Sequence, residues 1–352
     1  MFDVKSAVGK GFVINILLTI FSIACIAQDL SECRFREVFE EGLKRCYRYR
    51  NPYGGIGLKS VPQALQGPNV GPFLAEVLRK GCTWLPRDKY SRHFDRCYAA
   101  VCLGTTRDSR ALAPLIDALR DVDEKEKCKF REYLSAYAAR GLALLKDPNA
   151  FDALLEALED KRPPVKRASA HALANIGDIR AVKLLIEKFN DEDLEQGFTL
   201  HECLKKLTRK RDFKKWQYSK DRKKVFIPEF PVLGVVEGPG YGYKQYWRYW
   251  WQKGQEHTRQ RFEAIHSEWK NLKKETEGQK NLARRKFNNM SDLGIAALPF
   301  MIEKVQEGDT IFMPVMSRLT DGQLKKTATK EDCLDWWNKN KGRWLIPFEK
   351  PT

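Results

Sequence analysis

Three segments of this chain align without gaps: Asp108 to Leu119 (DSRALAPLIDAL), Asp147 to Leu158 (DPNAFDALLEAL) and Asp178 to Phe189 (DIRAVKLLIEKF). Each opens Asp-x-(Arg or Asn)-Ala, and each has a further Asp 13 residues after the first, at Asp121, Asp160 and Asp191. The starts lie 39 and 31 residues apart. Self-similarity at a period of roughly 20–50 residues marks one recurring supersecondary unit. A unit of that size cannot hide its apolar side alone, so it stacks on its neighbours.

The physics inside a unit is legible. The leading aspartates Asp108, Asp147 and Asp178 can each cap a helix by accepting backbone N–H bonds. Leu112, Leu115, Ile116 and Leu119 recur at i, i+3, i+4 and i+7, one apolar stripe of an α-helix. Val182, Leu185, Ile186 and Phe189 repeat that spacing, with Lys183 and Glu187 placed to pair on the wet side. A small-residue-rich partner helix precedes each stripe. The clearest is Val165 to Ile176 (VKRASAHALANI), with Val165, Ala168, Ala172 and Ile176 on one face. Gly104 and Gly177 are read as the turns between paired helices.

The run Ala168 to Asp178 (ASAHALANIGD), followed by Arg180-Ala181-Val182, resembles the HEAT-repeat family, in particular the short bacterial HEAT-like repeats of the phycobilisome-lyase type. The resemblance covers residues 93–208. Leu293 to Val305 resembles one more degenerate unit, and Gln66 to Arg79 part of an earlier one. The 39-residue spacing exceeds the family period because Asp123 to Lys129 lengthens a loop. The implied fold is mainly α, a HEAT-like α-solenoid of stacked helical hairpins carrying an irregular, aromatic-rich insertion with room for a short β-hairpin. Such solenoids serve as protein-binding scaffolds, so the resemblance implies binding and transfers no catalytic residue.

Composition sets the context. The 352 residues carry a net charge of +17, and between His201 and Met290 there are 23 Lys/Arg against 10 Asp/Glu, so +13 of it sits in one quarter of the chain. A segregated positive field attracts acidic proteins, polyanions or anionic headgroups, although the same residues can be an ordinary solvated helix surface. Residues 1–27 read as a secretory signal: Lys5 and Lys10, an apolar run from Phe12 to Ile23, then small residues ending at Ala27. That run is shorter than the roughly 18–20 residues a spanning helix needs, so an exported protein, periplasmic or extracellular, is expected rather than a multi-span membrane protein. An uncleaved N-terminal anchor and a lipoprotein at Cys25 are the alternatives. The expected organisation is a signal at 1–27, a Cys-containing helical region at 28–92, repeats at 93–208, a basic aromatic insertion with a Trp-Trp unit at 209–256, and a C-terminal helical region at 257–352.

Nine cysteines are many for a reduced compartment, and eight remain after Ala27; an even number in an exported chain permits disulfides of undetermined connectivity. Cys97 and Cys102 sit in an apolar helical stretch, where buried thiols are expected.

From Arg209 the character changes. A basic stretch containing Lys210 and Arg211 precedes Val225 to Val236, too broken by Pro228 and Pro231 for a helix and readable as a hairpin or ordered loop. Then come Lys244, Tyr246, Trp247, Arg248 and Tyr249. Trp250-Trp251 has an echo at Trp336-Trp337, and both pairs read as units sealing the ends of helical blocks. The competing reading makes the first aromatic run an exposed platform, its rings stacking on sugars, bases or peptides beside Lys210, Arg211, Lys244 and Arg248.

Catalytic chemistry finds little support. The five histidines show no zinc spacing, the glycines at 238–242 lack a dinucleotide-loop pattern, and no nucleophile elbow, P-loop or kinase set occurs. His171 reads as structural, His257 and His266 as solvated. No cofactor or metal is expected. The leading expectation is a non-catalytic scaffold for a protein with an acidic surface. An anionic polymer or glycan is the alternative partner. HEAT-like lyases and DNA glycosylases are less favoured, because export argues against a genomic DNA substrate.

Overall fold

A computed structural model describes residues 32–46, 61–85, 94–121, 131–188, 194–211, 217–218, 224–226, 236–237, 241–272 and 277–348. The expected signal at residues 1–27 and Cys128 lie outside them. The chain divides into two compact units, Met1–Ala150 and Phe151–Thr352.

In the first unit, helix α1 (residues 32–46) presents Phe39 and Leu43, both fully buried. α2 (Gly71–Lys80) packs on α3 (Phe94–Thr105) and on α4 (Leu112–Leu119), and α5 (Arg131–Leu145) packs on α3 and α4. The closest approach is between α3 and α5. A Cβ added to Gly104 would stand 2.2 Å from the Gly141 carbonyl oxygen, and one added to Gly141 would stand 2.5 Å from the Ala100 carbonyl oxygen. Gly104 is therefore no turn glycine. It lies inside α3, and its missing side chain is what lets two backbones touch.

The turn position is elsewhere. The residue just before each leading Asp has positive φ: Arg107 at 55°, Lys146 at 57° and Gly177 at 80°. Only the third repeat fills it with glycine, so the other two carry the left-handed strain of a side chain. After that residue the three aspartates act alike. Asp108 Oδ1 accepts from the Arg110 N–H at 2.9 Å, Asp147 Oδ1 from the Asn149 N–H at 2.9 Å, and Asp178 Oδ1 from the Arg180 N–H at 2.9 Å. Where the third residue is Arg, its guanidinium also grips the same carboxylate, Arg110 Nη2 to Asp108 Oδ2 at 2.6 Å and Arg180 Nη2 to Asp178 Oδ2 at 2.7 Å. Of the second aspartates, Asp160 makes the same turn with Arg162, and Asp121 pairs with Arg96 of α3 at 3.0 Å. Asp191 lies outside the described residues.

The second unit also opens with packed helices. α6 (Phe151–Glu156) packs on α7 (Pro163–Ile176), and α8 (Ala181–Glu187) and α7 pack on α9 (Leu194–Thr208). Val165, Ala168 and Ala172 of α7 are buried, as are Val182, Leu185 and Ile186 of α8. The insertion then forms a small antiparallel sheet, β1 (Gln217–Tyr218), β2 (Lys224–Phe226) and β3 (Val236–Glu237), in that order, with Gln217 opposite Phe226 and Val225 opposite Val236. The β2–β3 pairing closes the Val225–Val236 run as a hairpin, and β1 adds a third strand.

One helix, α10 (Tyr241–Lys270), follows without a break. It runs through 256/257, where a domain boundary was expected. The reason is a single stripe: Trp247, Trp251, Gly254, Thr258, Phe262, His266 and Trp269 are all buried at steps of three or four residues, with Trp250 buried beside them. Gly254 costs helix propensity but makes room: a Cβ there would meet Phe348 Cε1 at 2.9 Å and Trp250 Cδ1 at 3.0 Å. Phe348 stands edge-on to Trp250, ring centroids 4.9 Å apart. α11 (Glu277–Asp292), α12 (Leu298–Gln306), α13 (Met313–Leu319) and α14 (Lys330–Trp344) complete the unit. The degenerate unit at Leu293–Val305 is a 3-10 turn at Gly294–Ala297 leading into α12, and a Thr329–Asp332 capping box starts α14. The second Trp pair, on α14, is half-buried, with Trp336 6.1 Å from Trp344.

Replacing Gly141 by Ala is expected to destabilise the first unit by about 2 kcal/mol, overpacking exceeding the gain in helix propensity. Lys146→Gly, which only relieves a left-handed residue, should stabilise by up to ~1 kcal/mol. Thermal and denaturant unfolding of the two variants against the parent measures both.

Candidate functional site

The residues expected to form a binding platform do not share one surface. Tyr246 and Trp247 are buried, at 2% and 0% exposure. Their rings stand edge-to-face 5.4 Å apart, and Trp247 stands edge-to-face with Trp250 at 5.2 Å. Trp247 Nε1 donates to His201 Nδ1 at 3.1 Å. The two rings are core, and the exposed stacking platform expected there is not formed by them. The helical stripe is the cause: α10 packs on α8, α9 and the 3-10 turn at 294–297, Trp247 meets His201 of α9, and Trp250 and Trp251 meet Phe348. Arg248 points to solvent and Tyr249 is half-buried. The Lys244 side chain lies outside the described residues.

The basic pair splits as well. Lys210 is buried at 1% exposure, whereas Arg211 is exposed. Both belong to a tight junction. Arg209 adopts φ 55°, binds Asp321 with Nη1 at 2.8 Å and Nη2 at 2.5 Å, donates to the Leu319 carbonyl, and lies 5.0 Å from the Trp344 ring centroid. The Arg211 N–H donates to the Asp292 carbonyl at 2.8 Å. Gly294, at φ +74°, lets its backbone reach that of 208–210; a Cβ would stand 2.3 Å from the Thr208 carbonyl oxygen. Lys210 therefore supports the fold, while Arg211 keeps its charge in water.

The histidines also fall differently. His266, expected to be solvated, is buried at 8% exposure, with Nε2 2.9 Å from Asp309 Oδ2. His171 is exposed, with Nδ1 3.6 Å from Cys203 Sγ, and burial pushes that thiol up to about 12. Among the described residues no group of three or more His, Cys, Asp or Glu is placed to hold a metal ion, and no helix is long and apolar enough to cross a membrane.

Two features that sequence reasoning did not single out remain open to solvent. The first is a shallow cavity of about 100 Å³ between the turn at Ala157–Glu159, α7 and α9, lined by Glu159, Lys166, Arg167, Lys188, Thr199 and Leu200 among others. Lys188 pairs with Glu159. Its size and charge suit one carboxylate- or phosphate-sized group. The second is α11, where Lys280, Arg284 and Arg285 are exposed along with Leu282, itself 38% exposed. The basic composition of 201–290 pointed to this helix only in bulk.

His201 gives this unit a pH dependence. Burial, and secondarily the Lys205 charge, lowers its imidazole from 6.5 to about 3, so it stays neutral and accepts from Trp247. The unfolded chain takes up that proton below about pH 6.5. Between those values the unfolded state binds more protons, so stability is full above about pH 6.5 and falls as pH drops, by up to ~1.4 kcal/mol per pH unit. Chemical denaturation from pH 7.5 to 4 should show this slope. His201→Gln, which keeps an acceptor for Trp247 without titrating, should flatten it.

Two family models match the chain: HEAT repeats over residues 129–196, and the PBS lyase HEAT-like repeat over residues 95–121. The first spans α5 to α8 and the second α3 and α4. No curated protein sequence matches the chain. The matches and the helical hairpins together support HEAT-type repeats over residues 95–196.

Proposed function

We propose that this HEAT-repeat chain is a non-catalytic scaffold, exported from the cytoplasm, that binds a protein partner through an acidic surface of that partner. The observation that carries it is the stacked-hairpin architecture combined with exposed cations on α11 and at Arg211 and Arg248. HEAT-type stacks offer extended surface, and association with an acidic partner draws on that positive field. Export rests on the basic start, the apolar run Phe12–Ile23 and the small residues up to Ala27. An anionic polymer or glycan is the second reading, favoured by the +13 concentrated between His201 and Met290. With Tyr246 and Trp247 inside the core, that binding would depend on charge and not on those two rings.

Two outcomes are expected. The mature chain should begin at Gln28, shown by N-terminal sequencing of protein recovered from outside the cytoplasm; an N-terminus at Met1 there would mean an uncleaved anchor, and a lipid-modified Cys25 a lipoprotein. Pull-down with the mature chain, eluted by a salt gradient, should recover one acidic protein in stoichiometric amount. Arg284→Glu with Arg285→Glu should weaken its capture roughly tenfold at low salt. Recovery of polysaccharide or nucleic acid in place of a protein, with a steep salt dependence, would favour the polymer reading. Capture unaffected by the charge reversal would remove α11 from the interface.

A further inference from the structure

One buried hydroxyl sits where α1 meets α3, with a cysteine on each helix beside it. Tyr98 is fully buried and its ring lies 5.0 Å from that of Phe39. Its Oη rests on Gly42, where a Cβ would stand 2.1 Å away. The same hydroxyl shares a hydrogen bond with the Cys102 thiol, one turn further along α3. Cys46 is one turn beyond Gly42 on α1. Residues four apart stand one above the other on a helix face, about 6 Å along the axis. Cys46 thus follows Gly42 as Cys102 follows Tyr98, and a charge on Cys46 is felt at both Tyr98 and Cys102. Cys102 is sealed, whereas Cys46 is half-exposed, and neither carries a disulfide here. Of the other described cysteines, Cys82 faces Asp95 and Cys203 faces His171.

We propose that Cys46 and Cys102 are a disulfide-forming pair that, on oxidation, locks α1 onto α3. The chemistry is thiol–disulfide exchange. The Cys46 thiolate attacks one sulfur of an external disulfide and releases one thiol. Cys102 then gives its proton to solvent and attacks Cys46 Sγ, releasing the second thiol. Two protein thiols are oxidised to one S–S bond, and the external disulfide is reduced to two thiols. The oxidant is a small-molecule disulfide or a dithiol–disulfide oxidoreductase. Because Cys102 is sealed beneath Tyr98, the second step is fast while α1 is undocked and slow once it has seated. The pairing requires neither the proposed partner nor the proposed export, since the oxidant can be supplied to the purified chain.

The test is to refold the mature chain with oxidised and reduced glutathione, alkylate it, and digest it with trypsin without reduction. The expected product is peptide 46–48 joined to peptide 97–107, with fragmentation placing the bond at Cys102 rather than Cys97. The linkage should survive Cys97→Ala and disappear in Cys102→Ala and Cys46→Ser. Oxidised parent protein should melt on the order of 10 °C above the reduced form, and Cys46→Ser, at a half-exposed position, should show no such rise. Recovery of Cys46 alkylated in the folded, oxidised parent, or joined to any other cysteine, would overturn the pairing.

Discussion

Helical hairpins this short hold together only by borrowing a neighbour's apolar face, and how closely they borrow is set by side chains that are missing. At the α3–α5 crossing, Gly104 and Gly141 bring backbone against backbone. In α7 the work is done by Ala168, Ala170, Ala172 and Ala174, all buried. Small residues give little transfer free energy each, but they bring the larger Leu and Val side chains of α4 and α8 into dispersion contact. The large aromatics appear along α10, a 30-residue helix. There Trp247, Trp250, Trp251, Phe262 and Trp269 fill the space that alanines close elsewhere.

The Asp-x-Arg turn couples this packing to charge. Each leading Asp satisfies a backbone N–H at a helix start, and at Asp108 and Asp178 the same carboxylate neutralises the Arg two residues later. The carboxyls of Asp108, Asp160 and Asp178 are held below the usual carboxylate range despite the opposing effect of burial, because Arg110, Arg162 and Arg180 and their N–H groups favour the ionised form. One local motif thus fixes the entry angle of each second helix and removes its own charge from the surface field.

This shows why part of the molecule was legible in the sequence and part was not. The hairpins were, because an apolar stripe at helical spacing and a capping Asp are both local signals. Gly104 was misread because a glycine near a helix end looks the same whether it turns the chain or meets another glycine 37 positions away. The true turn position was disguised by Arg107 and Lys146, residues not expected in a left-handed conformation. Tyr246, Trp247 and Lys210 were misassigned to the surface for a related reason. Their burial depends on His201 and on the Asp292–Gly294 and Leu319–Asp321 turns, brought close only by the fold. Aromatic and basic residues in one run are compatible with a wet platform or a sealed junction, and nothing local decides between them.

Net charge therefore overstates what this chain can offer a partner. Arg110, Arg162 and Arg180 are bound by their own aspartates, Arg209 by Asp321, and Arg259 by a bidentate contact to Glu303 at 2.9 and 3.0 Å. Lys188 is paired with Glu159, and Lys286 with Glu268. A cation already held by a carboxylate must lose that partner before it gains another, so exchanging one ion pair for the next yields little. Cations that keep their hydration, such as Arg284 and Arg285 on the outer side of α11, give up only water on contact. Binding driven by the positive field should accordingly be concentrated on a few positions of one helix, and the larger count of Lys and Arg between His201 and Met290 should contribute to long-range steering more than to the contact itself.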